Sequence, residues 1–301
     1  MSTLVASAPT ASLGATLRLY WEMTRPRVLL LVLFTGLPAL GMATGTWPPL
    51  VTALWVLLGT ALSGAACSVL NAWLERDIDA HMARTRNRPL PAAAIAPGHA
   101  LGYGLVLSVV STALLYWIGG PLAAGVGLAS ILFYVFVYTL GLKRRTPQNI
   151  VIGGAAGATA PMIAEAALTG HITLASIWLF LIIFLWTPPH FWAIALFRKK
   201  EYAAAGVPMM PNVVGDQGTR WRMLAYTLAL VGATVAPVYT GHLGWLYGGA
   251  AIVLGLWFTG YNLKVLKAES YTVDYAMFKA SVVYLFLLFG AMLIDLSLPV
   301  A

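Results

Sequence analysis

Between positions 71 and 88 the chain brings together Asn71, Glu75, Asp77, Asp79, Arg84 and Arg88. If one helix carries the first of them, positions 71, 75 and 79 fall at i, i+4 and i+8 and share a stripe about 12 Å long. An amide oxygen and two carboxylates so spaced suit Mg²⁺, a hard cation held by one or two carboxylates and completed by substrate phosphate oxygens. Asp77 points away from that stripe unless the helix unwinds. Arg84 and Arg88, themselves four residues apart, follow just below and offer planar forks for phosphate. The plain alternative is a solvated loop in which Glu75 pairs with Arg76 and Asp79 with Arg84. An asparagine and three carboxylates within so short a stretch favour a carboxylate–metal–diphosphate site.

Two further groups carry chemistry. In Tyr138-Thr-Leu-Gly-Leu-Lys143-Arg144-Arg145, a tyrosine about one turn before a Lys–Arg pair would approach the same diphosphate, although a basic run also serves simply to fix topology. Gly153 and Gly157 follow as a small-residue stripe suited to helix packing. In Trp186-Thr-Pro188-Pro189-His190-Phe191-Trp192, two prolines free backbone carbonyls that a neighbour or a cavity must satisfy. His190 is therefore expected at a bent, cavity-lining place, and an ionisable group within a span is a functional candidate. The plain alternative is a hydrogen bond from His190 to a freed carbonyl. His81, His99, His171 and His242 read as structural.

Membrane helices must position these residues. Of 301 residues, 60% are hydrophobic and 9% are charged, whereas a soluble domain carries roughly a quarter charged residues. So few charges exclude a water-facing surface. Apolar runs broken by turn and charge signals predict about nine transmembrane helices, at 27–46, 50–72, 100–118, 122–141, 149–167, 172–196, 223–241, 245–264 and 277–298. Short, nearly charge-free links alternate with the links 73–99, 142–148, 197–222 and 265–276. All 18 lysines and arginines fall on the side of the second set. Basic residues are retained in the cytoplasm, so the N-terminus is inside and the polar cluster faces the cytoplasm.

Residues 1–24 show no apolar core with a cleavage site and read as a cytoplasmic tail. Residues 25–301 form one all-α, polytopic domain around a cavity open to the cytoplasmic side. The net charge of +8 would suggest nucleic acid in a soluble protein; here it belongs to loops beside a lipid bilayer, and no nucleic acid is expected. The lone Cys67 lies in an apolar run and excludes a disulfide within the chain.

A substrate that needs both a metal–diphosphate site and an apolar bundle is a prenyl diphosphate. Mg²⁺ would draw charge from the leaving diphosphate, and the allylic cation left behind needs π-rich walls. Trp73, Tyr134, Tyr138, Phe191 and Trp192 lie near the cytoplasmic ends, where aromatic side chains also serve as interfacial anchors. A transporter would place polar or broken-helix sites near the midplane, where these spans read as bare.

At these residues the chain resembles the membrane-embedded (UbiA-type) prenyltransferases, and within them the haem branch. The matching pieces are Thr24-Arg-Pro-Arg27, Asn71-x3-Glu75-x-Asp77-x-Asp79, Met82-x-Arg84-Thr85-x2-Arg88-Pro89, and Tyr138-Thr139 with Lys143-Arg144-x-Thr146-x2-Asn149. They continue with Gly153-Gly154-x2-Gly157-Ala158, Pro189-His190-Phe191 and Tyr202-x3-Gly206-x-Pro208-Met209-x-Pro211. Glu75 and Glu201 stand where Asp is usual, which keeps the charge but alters ligand geometry. The quinone-type relatives carry a second Asp-rich stretch after the sixth span; Glu201 and the distant Asp216 replace it here.

The resemblance implies transfer of a farnesyl group from farnesyl diphosphate to a vinyl group of haem B, with addition of water, giving haem O and diphosphate. Asn71, Glu75 and Asp79 would hold Mg²⁺ with Asp77 assisting. Arg84, Arg88, Lys143 and Arg144 would hold diphosphate beside Tyr138, and His190, with Phe191 and Trp192, would steer or ligate haem B, a substrate rather than a resident cofactor. It also implies a bacterial cytoplasmic (inner) membrane and a link to haem A synthase or terminal oxidase assembly. Prenylation of an aromatic quinone precursor is the alternative within the same fold.

Overall fold

The computed structural model describes residues 12–298; residues 1–11 of the expected tail lie outside the described residues. The rest of that tail is a helix, α1 (Leu13–Met23). It is followed by α2 (Pro26–Thr44), α3 (Leu50–Leu74), the short α4 (Arg76–His81) and α5 (Pro97–Leu132), which runs on as a π-helical segment, Phe133–Leu142. Half-helices α6 (Asn149–Gly157) and α7 (Ala160–Thr169) precede α8 (Leu174–Phe197), the short α9 (Lys199–Ala204), α10 (Met210–Tyr239), α11 (Trp245–Leu266) and α12 (Tyr271–Ser297). No strand occurs among the described residues, and eight helical runs among them are long and apolar enough to cross a membrane.

One of the eight, from Pro97 to Leu142, has 46 residues. Straight, it would be about 69 Å long, more than twice the roughly 30 Å hydrocarbon core. It is not straight. Gly120 takes φ 72° and ψ −168°, a backbone that glycine adopts without a Cβ penalty. Both ends of the run meet the same end of α3. A Cβ on Gly104 would sit 2.6 Å from Leu70, and Asn71 Nδ2 donates to Thr139 Oγ1 at 3.2 Å. In a straight helix residues 104 and 139 would be about 50 Å apart. The run is therefore a hairpin of two antiparallel arms, which accounts for the separate spans predicted at 100–118 and 122–141.

Elsewhere the elements depart from the sequence expectation. The predicted span 149–167 is two half-helices, broken beside Thr159, whose hydroxyl donates to Ala156 O at 2.9 Å and to Ser130 Oγ at 3.1 Å. This break lies inside a span that had read as bare. The helix predicted at 223–241 belongs to the longer part of α10, which starts after a kink at Gly215 (φ 75°, ψ 172°) and is preceded by a short helical turn from Met210.

Helix α8 is the most enclosed of the long helices and touches α2, α6, α7, α10 and α12. The charge-bearing links gather at one end of the bundle, where Gln217 and Arg220 donate to the carbonyls of Leu266 and Ala268. At the opposite end, two carboxylates cap helix starts. Glu165, buried, accepts from Thr173 N at 2.9 Å before α8, and Asp295 accepts from Gly244 N at 2.5 Å and Tyr247 N at 3.1 Å at the start of α11. Free N–H groups and the helix dipole favour negative charge there.

Candidate active site

Asn71 lies one turn before the end of α3, Glu75 at the joint, and Asp79 in α4. Glu75 leaves helical geometry (φ −102°, ψ 10°), yet Glu75 N donates to Asn71 O at 3.0 Å and Asp79 N to Glu75 O at 2.8 Å. The four-residue ladder thus crosses the joint, and the three side chains stay on one line. Asn71 is buried, Glu75 is 3% exposed and Asp79 is 5% exposed, whereas the Asp77 side chain is 57% exposed and points away.

Buried carboxylates need partners. The partners are not the neighbours in the loop: Arg76 donates to Trp73 O at 2.7 Å and lies over its ring. Instead Lys143 Nζ lies 2.5 Å from the Glu75 carboxylate, and Arg88 Nη1 donates to Asp79 Oδ2 at 2.9 Å. Arg144 Nη2 donates to Asp77 Oδ1 at 2.8 Å. Burial by itself would raise the Asp77 carboxyl, but the hydrogen bond and charge of Arg144 outweigh it and hold it below the usual carboxylate value. Asn71 receives Arg25 Nη2 on its Oδ1 at 3.0 Å.

The π-helical segment sets the other wall. Its wider winding lets Lys143 N reach Tyr138 O at 2.9 Å and Thr139 Oγ1 reach Tyr134 O at 2.8 Å, both five residues back; π-turns of this kind recur at functional sites. The winding puts Thr139 on Asn71, Lys143 on Glu75, and the Tyr138 ring 5.7 Å from the Lys143 ammonium. Tyr138 is seated on Gly153, where a Cβ would fall 2.1 Å from its ring. Gly153 is thus a socket for a site residue, while an added Cβ on Gly157 meets nothing within 4 Å.

Two cavities flank the line. One, of about 210 Å³, is bounded by Asp79, Arg84, Arg88 and Arg25. The other, of about 250 Å³, is bounded by Asp77, His81, Arg144 and Gly206. Arg84 reaches the first without an ion pair to Asp79. Arg25 and Thr139 join the site without a role assigned from spacing, although both lie within the motifs Thr24–Arg27 and Tyr138-Thr139.

Part of the aromatic group on α8 stays together. His190, 8% exposed, is stacked between Trp186 (4.2 Å) and Phe278 (4.7 Å), and its Nδ1 lies 2.6 Å from Ser281 Oγ on α12. It is tied to a serine hydroxyl, not to a carbonyl freed by Pro188 or Pro189, and α8 stays helical through both prolines. Trp192 is buried against Tyr226 of α10, and Phe191 is 40% exposed. His190 and Phe191 meet edge to face at 5.0 Å, whereas Trp192 turns to α10.

The donor set fits a divalent ion completed by phosphate. No three His, Cys, Asp or Glu side chains converge as a metal cage among the described residues. Yet Glu75 and Asp79 supply two buried carboxylates on the line of the Asn71 amide. Two carboxylates with open positions is the pattern by which proteins hold Mg²⁺ on substrate phosphates.

Fold and sequence define the class: residues 32–291 match the UbiA prenyltransferase family, and the chain belongs to it. The architecture is that of a digeranylgeranylglyceryl phosphate synthase (TM-score 0.78, 17% identity, covering 93% of this chain and 98% of that one). It is also that of a UbiA homologue from Archaeoglobus fulgidus bound to DMAPP and Mg²⁺ (TM-score 0.62, 18% identity, 91% and 99%). Within the family, the chain is 48% identical over 293 residues to the protoheme IX farnesyltransferase of Acidiphilium cryptum, covering 94% of this chain and 92% of that protein. It is 43% identical to the protein of that name from Symbiobacterium thermophilum, with coverage of 94% and 96%.

Proposed function

We propose that this protein transfers the farnesyl group of farnesyl diphosphate to a vinyl group of haem B, with addition of water, to give haem O and diphosphate. The observation that carries the reading is the near full-length identity to proteins named protoheme IX farnesyltransferase. The site geometry supports it, since two buried carboxylates, an amide and several cations meet beside aromatic rings at one end of an apolar bundle. Asn71, Glu75 and Asp79 would hold Mg²⁺, and Asp77 would assist from outside the line. The metal, when bound, supplies positive charge to the leaving diphosphate.

Arg84, Arg88, Lys143 and Arg144 would hold the diphosphate as its bond to farnesyl breaks. Tyr138, beside Lys143, would face the allylic carbon with its π-cloud. The haem vinyl group attacks that carbon, and water adds to the resulting cation, losing a proton. His190 would position the haem edge, with Phe191 and Trp192 shaping that side of the bundle.

The hairpin in the 46-residue run supports nine crossings. With the basic links at one end, the N-terminus and the site would face the cytoplasm of a bacterial inner membrane. Haem A synthase or terminal oxidase assembly would receive the product. The test is diphosphate release: it should require Mg²⁺ and haem B together. Equal release with a quinone precursor replacing haem B would overturn the assignment.

A further inference from the structure

Arg25 occupies a costly position. It is one of two non-glycine residues among those described with a left-handed backbone (φ 55°, ψ 59°). Pro26 follows it, and a residue before proline is disfavoured in right-handed helical geometry, so the chain turns here between α1 and α2. Glycine would make that turn without strain. The arginine side chain instead runs back to Asn71, 46 positions along the chain, and Nη2 donates to Oδ1 at 3.0 Å. That oxygen is the one Asn71 would offer a metal, because its Nδ2 already donates to Thr139. The same arginine borders the cavity of Arg84, Arg88 and Asp79. Glu22 also borders that cavity, and its carboxylate is paired with Arg18 Nε at 3.0 Å.

Each oxygen-bearing member of the line therefore holds a cationic side chain: Arg25 on Asn71, Lys143 on Glu75, Arg88 on Asp79. A divalent cation cannot share the Asn71 oxygen with a guanidinium, since like charges at contact distance repel. The guanidinium leaves readily only if an anion waits beside it, and a planar fork suits a diphosphate oxygen pair.

Resting on the function proposed above, we propose that Arg25 is a positioning residue that exchanges partners. It holds Asn71 Oδ1 while the metal is absent and passes to the diphosphate when the metal takes that oxygen. Metal and diphosphate thereby bind as one coupled event, each releasing the counter-ion of the other.

The test uses the full chain in detergent, Mn²⁺ as a spin-active stand-in for Mg²⁺, and inorganic pyrophosphate as the anion. Mn²⁺ affinity is measured at matched free Mn²⁺ with and without pyrophosphate. In the wild type, pyrophosphate should tighten Mn²⁺ binding by about tenfold or more, the range of ordinary coupling between sites. In Arg25→Gln, Mn²⁺ alone should bind as well or better, and the tightening should fall to about twofold or less. Arg25→Lys, which keeps the charge, should restore part of it. A merely structural Arg25 would change folding and leave the coupling factor intact. Undiminished coupling in a folded Arg25→Gln overturns the exchange alone. Should Arg25→Gln fail to fold, full wild-type coupling in Arg25→Lys, which lacks the fork, does the same. Absence of any Mn²⁺ binding to the wild type, with pyrophosphate present, overturns the metal site of the proposed function as well.

Discussion

Gly153→Ala is a one-carbon change whose consequences follow from the packing of Tyr138. The new Cβ would lie 2.1, 2.6 and 2.7 Å from three atoms of that ring, where ordinary contact begins near 3.4 Å. The ring must therefore retreat by roughly 1.3 Å, the difference between 3.4 and 2.1 Å. It is buried, with Tyr134 5.0 Å away and the Lys143 ammonium at 5.7 Å, so the strain is shared with the Lys143–Glu75 pair. Overpacking of this kind costs about 1–3 kcal/mol. At about 2–4 °C per kcal/mol, the range for somewhat smaller domains, the thermal midpoint in detergent should fall by roughly 2–12 °C. The KM for farnesyl diphosphate should rise as Lys143 shifts. Gly157→Ala, in the same short helix but with no atom within 4 Å, is the control and should leave both values near wild type. If the two variants melt together and keep the same KM, Gly153 is not the seat of Tyr138 and the reasoning fails.

Asp79→Asn removes a buried charge while keeping size, so turnover should fall by about a hundredfold or more, roughly 2.7 kcal/mol of transition-state stabilisation; Glu75→Asp should stay active, and near-normal turnover in Asp79→Asn excludes the metal line. Asp274→Ala strands Arg220, whose guanidinium donates to that buried carboxylate at 2.8 Å, and should cost about 3–5 kcal/mol of stability, read as a lower melting midpoint with weaker docking of α10 on α12. His190→Ala should weaken haem B binding and shift its absorption spectrum with farnesyl diphosphate affinity kept within about threefold; an unchanged haem spectrum and affinity removes the haem role. The Asp77–Arg144 contact lowers the Asp77 carboxyl below its ordinary 3.8, so its stabilisation is present above that value and lost as pH falls through the lower folded value. Asp77→Asn should therefore blunt the acid destabilisation below pH 3.8, and parallel melting curves for variant and wild type across that range would contradict it.

Much of this architecture could be read from residue types because a bilayer admits few backbone solutions. Apolar runs, charge-free turns at Gly119–Pro121 and 241–244, and basic links located the helices, and the i+4 series placed Asn71, Glu75 and Asp79 on one line across the α3–α4 joint. What periodicity could not supply was pairing over distance. Glu75 meets Lys143, 68 positions away, and Asp79 meets Arg88, whereas proximity in sequence had suggested Arg76 and Arg84. The π-helical winding that delivers Thr139 and Lys143 has no composition signature, since Phe133–Leu142 reads as an ordinary apolar run. The same blindness hid the break at Thr159 and the role of Gly153, which depends on a ring in the preceding element. The run Pro188-Pro189-His190 suggested a bent, cavity-lining place; α8, the most enclosed long helix, runs helically through both prolines, and His190 is buried in it.

Isotope labelling of the product decides whether farnesyl transfer to haem B takes place with capture of water. Purified protein, haem B, farnesyl diphosphate and Mg²⁺ are incubated in ¹⁸O-water and the haem fraction is analysed by mass. The expected product is a haem enlarged by one farnesyl group and one hydroxyl bearing ¹⁸O, formed by the wild type and lost in Asp79→Asn. A farnesylated haem without solvent oxygen would contradict the order of steps, and unchanged haem B beside intact farnesyl diphosphate would contradict the function itself.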